Sequence, residues 1–145
     1  LDRQRAMAAA APYQKADPEA VAARYRIHFK VALARPSDYE RLMASMKQAF
    51  IAQGAAGILK ARAVEDRLML ETWAIDTYDL LPRVASLRIP TLVITGERDF
   101  FPVDVAAHIA RAMPNARLVT LPNCGHFAYL ECPDDVRKAL TAFIK

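Results

Sequence analysis

The spacing of apolar residues divides the chain into two stretches of different character. Over residues 1 to about 76 the period is helical, and no segment alternates as a strand does. Asp17-Pro18-Glu19 opens the first clear helix, over about 17–34, with a side chain able to cap, proline at the first helical position and an acid in the first turn. Val21, Tyr25, Phe29, Ala32 and Leu33 follow at helical spacing. Arg35-Pro36 ends this helix, because the residue before proline avoids the α region. Ser37-Asp38-Tyr39-Glu40 reads as a capping box for a helix over 38–53, and Gly54 as its stop. That helix carries the stripe Tyr39, Leu42, Met43, Met46, Ala49 and Phe50. A third helical stretch covers about 58–73. Helix packing explains most of these stripes. Met43, Met46, Met69 and Trp73 also suit the wall of an apolar pocket, because methionine adapts to irregular shapes.

After residue 80 the pattern changes. Ile89-Pro90 precedes Thr91-Leu92-Val93-Ile94-Thr95, a short apolar and β-branched run closed by Gly96. Such a run predicts a strand buried on both faces of a parallel sheet. Residues 103–113 predict a helix with Val105, Ala106, Ile109 and Met113 on one side, stopped by Pro114. Arg117 to Leu121 predicts a second strand, and Pro122-Asn123-Cys124-Gly125-His126 a loop. Pro133, Asp134 and Asp135 start a last helix that turns Val136, Leu140, Phe143 and Ile144 inward. Strand, helix, strand, helix makes one crossover unit of an α/β fold. Two strands are too few for stability, so the neighbours that complete the sheet are expected from an N-terminal part of the same protein or from another chain.

Composition removes several functions. A length of 145 residues suits one ordinary domain, and a formal charge of +4 comes from interspersed acids and bases. There is no basic stripe or nucleic-acid motif, so no nucleic-acid partner is expected. No apolar run among these residues is long enough to cross a membrane, and none of them reads as a signal peptide, which leaves open one removed earlier. The spacing of Cys124 and Cys132 fits no common zinc site and suggests no disulfide framework. Partly buried thiols in a reducing cytoplasm are expected, with no metal and no cofactor. The chain begins with Leu1, which is consistent with a processed product or fragment.

Candidate chemistry sits at the two strand ends. Asp99 lies three residues after Gly96, beyond the carboxyl end of the first strand, where open α/β sheets place ligand sites. His126 holds the matching place after the second strand. Neighbouring strands run about 5 Å apart, so the two side chains can meet. The carboxylate would fix the imidazole tautomer and leave the other ring nitrogen as general base. Singly, Asp99 also suits a turn and His126 a plain loop residue. Together, at matched strand ends, they favour catalysis. His28 and His108 lie within helices and read as structural, while the rival acid Asp104 suits the first turn of its helix.

The run Ile89-Pro90-Thr91-Leu92-Val93-Ile94-Thr95-Gly96-Glu97-Arg98-Asp99, then Pro102, Gly125-His126, Glu131 and Pro133, resembles the C-terminal part of the α/β-hydrolase family. The resemblance covers about 87–145 and implies a fold of helical cap plus the last strands and helices of a mainly parallel sheet. Residues 1–76 would be the cap (lid) and 77–145 the core part. The family's acid position falls on Asp99 and its histidine on His126, and Trp73, Phe100, Phe101 and Phe127 are candidate pocket walls under the cap. The tail and cap look most like the branch of proline iminopeptidase-like and small-ester hydrolases.

One departure matters. The family's serine sits in a G-x-S-x-G elbow, but Ser37, Ser45 and Ser86 have no flanking glycine, and no glycine-rich oxyanion loop exists. Cys124 is a poor substitute, being two residues from His126 in one loop. The resemblance therefore implies hydrolysis of a small ester or amide substrate, with the nucleophile upstream of Leu1 and this chain supplying acid and base. A non-catalytic interaction or regulatory fragment, or a small domain that dimerises to finish its sheet, remains open.

Overall fold

The computed structural model describes residues 2–144. They form two compact units: residues 2–30 with 40–78, and residues 31–39 with 79–144.

The first unit is helical. Helices α1 (Asp2–Ala9), α2 (Ala11–Gln14) and α3 (Pro18–His28) are followed by a 3-10 turn at Phe29–Val31 and the long α4 (Pro36–Leu68), whose first residues belong to the other unit. The Asp17 carboxylate accepts from Ala20 N at 2.9 Å, which is the cap expected of Asp-Pro-Glu. Just before it, Ala16 takes φ +57°. Its N–H donates to Tyr13 O and that of Asp17 donates to Pro12 O, the bond pair of a Schellman stop. The helix over 17–34 is shorter than its apolar spacing suggested, because it tightens into the 3-10 turn. The capping box over Ser37–Glu40 does not form. Pro36 already starts α4, and the Glu40 carboxylate pairs with the Arg26 guanidinium instead.

Gly54 breaks α4 with φ +63° and ψ 178°, so 36–53 and 55–68 are separate helices in all but name. A π-helical turn, Met69–Trp73, ends the element. The core of the unit is Ala16, Val21 and Ile58, with Tyr13, Tyr25 and Phe50 packed against it. Arg62 stacks over the Tyr13 ring at 3.9 Å and donates to Tyr13 O at 2.8 Å, so its aliphatic stem and its charge both serve the packing.

The second unit is α/β. A short helix α5 (Leu81–Val84) leads to strand β1 (Thr91–Gly96), helix α6 (Val103–Ala112), strand β2 (Ala116–Leu121), helix α7 (Ala128–Glu131) and helix α8 (Pro133–Ile144). The strands pair in parallel, with Thr91 beside Ala116 and Gly96 beside Leu121. The strand expected to be buried on both faces is buried only at its carboxyl end, Thr95 and Gly96. Residues 91–94 stay half-buried, because among the described residues β1 has no strand partner other than β2. Apolar residues of α6 and α8 are exposed as well, including Val105, Ile109, Leu140 and Ile144. Among the described residues no helix is long and apolar enough to cross a membrane.

Candidate active site

Equal strand lengths and an in-register parallel pair bring the ends of β1 and β2 level, so the loops that follow start side by side. Close approach is possible because residue 96 is glycine. A Cβ there would overlap the backbone carbonyls of Cys124 and Gly125. The loops are then laced together. Glu97 N donates to Leu121 O at 2.9 Å, Arg98 N to Cys124 O at 2.8 Å, and Asn123 N to the Glu97 carboxylate at 3.0 Å. Asn123 takes φ +55°, a left-handed turn that asparagine tolerates better than most residues.

Asp99 and His126 meet across this junction. The Nδ1 of His126 lies 3.1 Å from each carboxylate oxygen of Asp99. The carboxylate is nearly buried, with a side-chain exposure of 10%, while the imidazole is at 33%. Asp99 also accepts from Phe101 N at 2.9 Å, so the turn role and the pairing coexist in one side chain. With Nδ1 facing a carboxylate, the stable neutral tautomer keeps the proton on Nδ1 and the lone pair on Nε2. Among the described residues nothing hydrogen-bonds to Nε2. The geometry thus offers a basic nitrogen, oriented from behind and partly exposed.

Aromatic rings surround the imidazole. Centroids of Phe100, Phe127 and Phe101 lie 4.5, 5.2 and 5.8 Å from that of His126. Phe100 and Phe101 are more than two-fifths exposed. Trp73, the fourth expected wall, lies in the helical unit and is 66% exposed. Asp104 sits in the first turn of α6 and His108 further along that helix, as read. Ser86 donates its hydroxyl to Arg83 O at 2.8 Å. Among the described residues no cluster of His, Cys, Asp and Glu could hold a metal.

The cysteines require a correction. Cys124 and Cys132, expected as thiols, are disulfide-bonded, with Cα atoms 6.2 Å apart. The turn of α7 folds the eight-residue separation back on itself, which sequence spacing alone does not reveal. The bond and the full burial of Cys124 leave it no role as a nucleophile.

Glu131 was legible only as an element of a motif. In the structure it is buried at 3% exposure and joins the histidine loop to residues 34 and 35. One carboxylate oxygen accepts from Ala34 N at 2.7 Å and Arg35 N at 3.1 Å, and the other from Gly125 N at 2.8 Å. The Arg35 guanidinium donates to the Glu131 carbonyl, and His126 N donates to Ala32 O at 2.8 Å. Segment 31–39 therefore grouped with the α/β unit through polar contacts that span almost a hundred residues of sequence.

Comparison with known proteins agrees with this architecture. Residues 2–139 match the model of the alpha/beta hydrolase family. RutD of Pseudomonas syringae pv. syringae, named as a carbamate hydrolase, is 34% identical over 80 residues, which are 54% of this chain and 31% of that protein. The 2-hydroxy-6-oxo-6-phenylhexa-2,4-dienoate hydrolase of Burkholderia cepacia is 32% identical over 71 residues, 48% of this chain and 25% of that one. Among solved structures, an N-acyl homoserine lactone degrading enzyme superposes with a TM-score of 0.59 at 24% identity, covering 85% of this chain and 47% of that chain. The dienoate hydrolase of Rhodococcus sp. gives 0.57 at 22% identity, covering 92% and 46%. The chain spans less than half the length of these solved relatives.

Proposed function

The chain belongs to the α/β-hydrolase family, and from that premise we propose that it supplies the acid and the general base of a nucleophilic hydrolase. The observation that carries this reading is His126 Nδ1 at 3.1 Å from both oxygens of Asp99, at the ends of adjacent parallel strands. In the proposed cycle a hydroxyl nucleophile attacks the acyl carbon of an ester or amide-like bond. His126 Nε2 takes the hydroxyl proton and passes it to the leaving group. Asp99 holds the ring in place and stabilises the imidazolium while it exists. Water then repeats the sequence to release the acid. Phe100, Phe101 and Phe127 give the histidine an apolar border, which suits a substrate with an apolar acyl part.

Residues 1–76 are proposed as the cap region and Trp73 as a specificity residue within it. The nucleophile and oxyanion donors are proposed to come from the part of the family fold that this chain does not span. The half-buried β1 and the exposed apolar residues of α6 and α8 are the surfaces such a part would cover.

The test is an assay of the full-length protein and of its His126→Ala variant against short acyl esters and N-terminal prolyl amides. Loss of a triad member costs on the order of 10⁴-fold or more in kcat. Chain 1–145 alone should show no turnover. Full-rate hydrolysis by the His126→Ala protein would remove His126 from the mechanism. Turnover by the isolated chain that depends on His126 would point to a nucleophile among its own residues. Prolyl-amide turnover that outpaces ester turnover would favour the iminopeptidase-like branch.

A further inference from the structure

We infer that Glu131 is a positioning residue for His126, acting by fastening the histidine loop to segment 32–35; the inference rests on the reading of His126 as general base. A buried carboxylate is costly unless its oxygens are matched by donors. Glu131 is matched by three backbone N–H groups from two directions: Ala34 and Arg35 on one side, Gly125 on the other. Gly125 is the residue before His126, and His126's own N–H is held by Ala32 O at 2.8 Å. Both anchors of the imidazole's backbone therefore run to segment 32–35, one directly and one through Glu131. Among the described residues the long-range hydrogen bonds of that segment run to Glu131 and to the His126 backbone rather than to the imidazole or the Asp99 carboxylate, so the effect on chemistry is through placement.

The packing leaves little slack. A Cβ on Gly125 would come to 2.6 Å from the Glu131 carboxylate and 2.7 Å from Ala32 O and Ala34 N. Shortening or neutralising Glu131 therefore frees the loop where it is tightest. Glutamine at 131 keeps the size, but it turns an N–H toward backbone N–H donors and leaves them facing one another in a buried site.

The test uses the full-length protein and two kinds of readout. In the wild type, NMR hydrogen exchange should show the Gly125, Ala34 and Arg35 amides protected well beyond other loop amides. Exchange at the rate of exposed loops would overturn the fastening whatever the activity. In Glu131→Gln, the Nδ1–H signal of His126 should broaden or vanish while ring signals of His28 and His108 stay unchanged, as internal controls. The kcat should fall on the order of 100-fold, as expected for about 1 Å of misplacement, with KM nearly constant. A folded Glu131→Gln protein with an unaltered His126 signal and wild-type kcat would overturn the proposal. Should that variant not fold, Arg35→Ala carries the test, since it removes a half-exposed donor to the Glu131 carbonyl. Exchange at the Gly125 amide should then speed up on the order of ten-fold, and no change would overturn the proposal. If the wild type hydrolyses nothing, the hydrolase reading fails, while the spectroscopic readouts still decide whether Glu131 fastens the loop.

Discussion

The two units are built on opposite principles. Buried residues of the helical unit, Ala16, Val21, Ala22, Leu42, Met43 and Ile58, are all apolar. The α/β unit buries Ala32, Leu121 and Cys124 but also Thr95 and Glu131, the two buried polar side chains among the described residues. Apolar packing is non-directional and tolerates adjustment. Hydrogen bonds to a buried carboxylate are directional and costly to break. The unit that carries Asp99 and His126 is the one whose loops are held by directional contacts. This is what a site needing atoms placed to within about 0.5 Å requires.

Glycine substitutions sharpen the contrast, since Gly96 and Gly54 serve their units for different reasons. The largest effect is expected at Gly96. Gly96→Ala would drive a methyl group into the carbonyls of Cys124 and Gly125, which are backbone atoms and cannot turn aside. Overpacking of this kind costs about 3 kcal/mol. The Asp99–His126 pair should loosen with it, because the two loops must separate. Urea unfolding followed alongside the His126 ring signal measures both. A Gly96→Ala protein with an unchanged midpoint and an intact pair would break the claim that close backbone approach organises this unit.

Gly54→Ala should cost less and act differently. Among the described residues nothing beyond its own chain neighbours and the nearby helix backbone lies within 4 Å of where its Cβ would go, so the penalty is conformational. The angles φ +63° and ψ 178° fall in a region used almost solely by glycine. Holding another residue there costs about 1–2 kcal/mol. Exchange protection should fall in the helices on either side of residue 54 and stay unchanged at Gly125 and His126. Equal loss of protection in both units would show that they are not energetically separate.

These differences also mark what the sequence could disclose. The strand at 91–96, the helix from 103, the second strand to 121 and the last helix were legible, because each is encoded by a run of neighbours. The meeting of Asp99 and His126 was legible as well, since two strand ends in a crossover unit have one natural arrangement. Gly54 announced its break. The contacts that hold the site were not legible. Glu131 reaches Ala34 across 97 residues. The Cys124–Cys132 bond depends on a turn of α7 that no periodicity marks. Glu40 was assigned to a cap by local spacing, yet Arg26, fourteen residues away, offered a charged partner. Local rules lost wherever a distant charge or donor competed for the same side chain.

The smallest expected effect lies in the helical unit and depends on pH. Tyr25 packs against Phe50, Phe29 and His28, with ring centroids 5.1, 5.6 and 6.1 Å away. Burial raises its phenol above the ordinary tyrosine value. Negative charge from Glu65 and coupling to Tyr13 add to the rise, and Arg24 and Arg62 oppose it. A phenol that ionises less readily in the folded chain than in the unfolded one stabilises the fold in its neutral form. That contribution is fully present below the unfolded value of about 10 and is lost as the pH rises through the folded value. Stability of the helical unit should therefore decline above about pH 10 in the wild type. In Tyr25→Phe the ring packing remains and nothing ionises at 25, so the decline should be shallower. Tyr13 and Arg62 are present in both proteins, so the difference follows from removal of the Tyr25 phenol and of its coupling to its neighbours. Parallel alkaline unfolding curves, read by exchange at α3 amides and again at β1 amides, make the comparison. A Tyr25→Phe change that flattened the curve at β1 as much as at α3 would mean that the phenol supports both units, and the division drawn between them would fail.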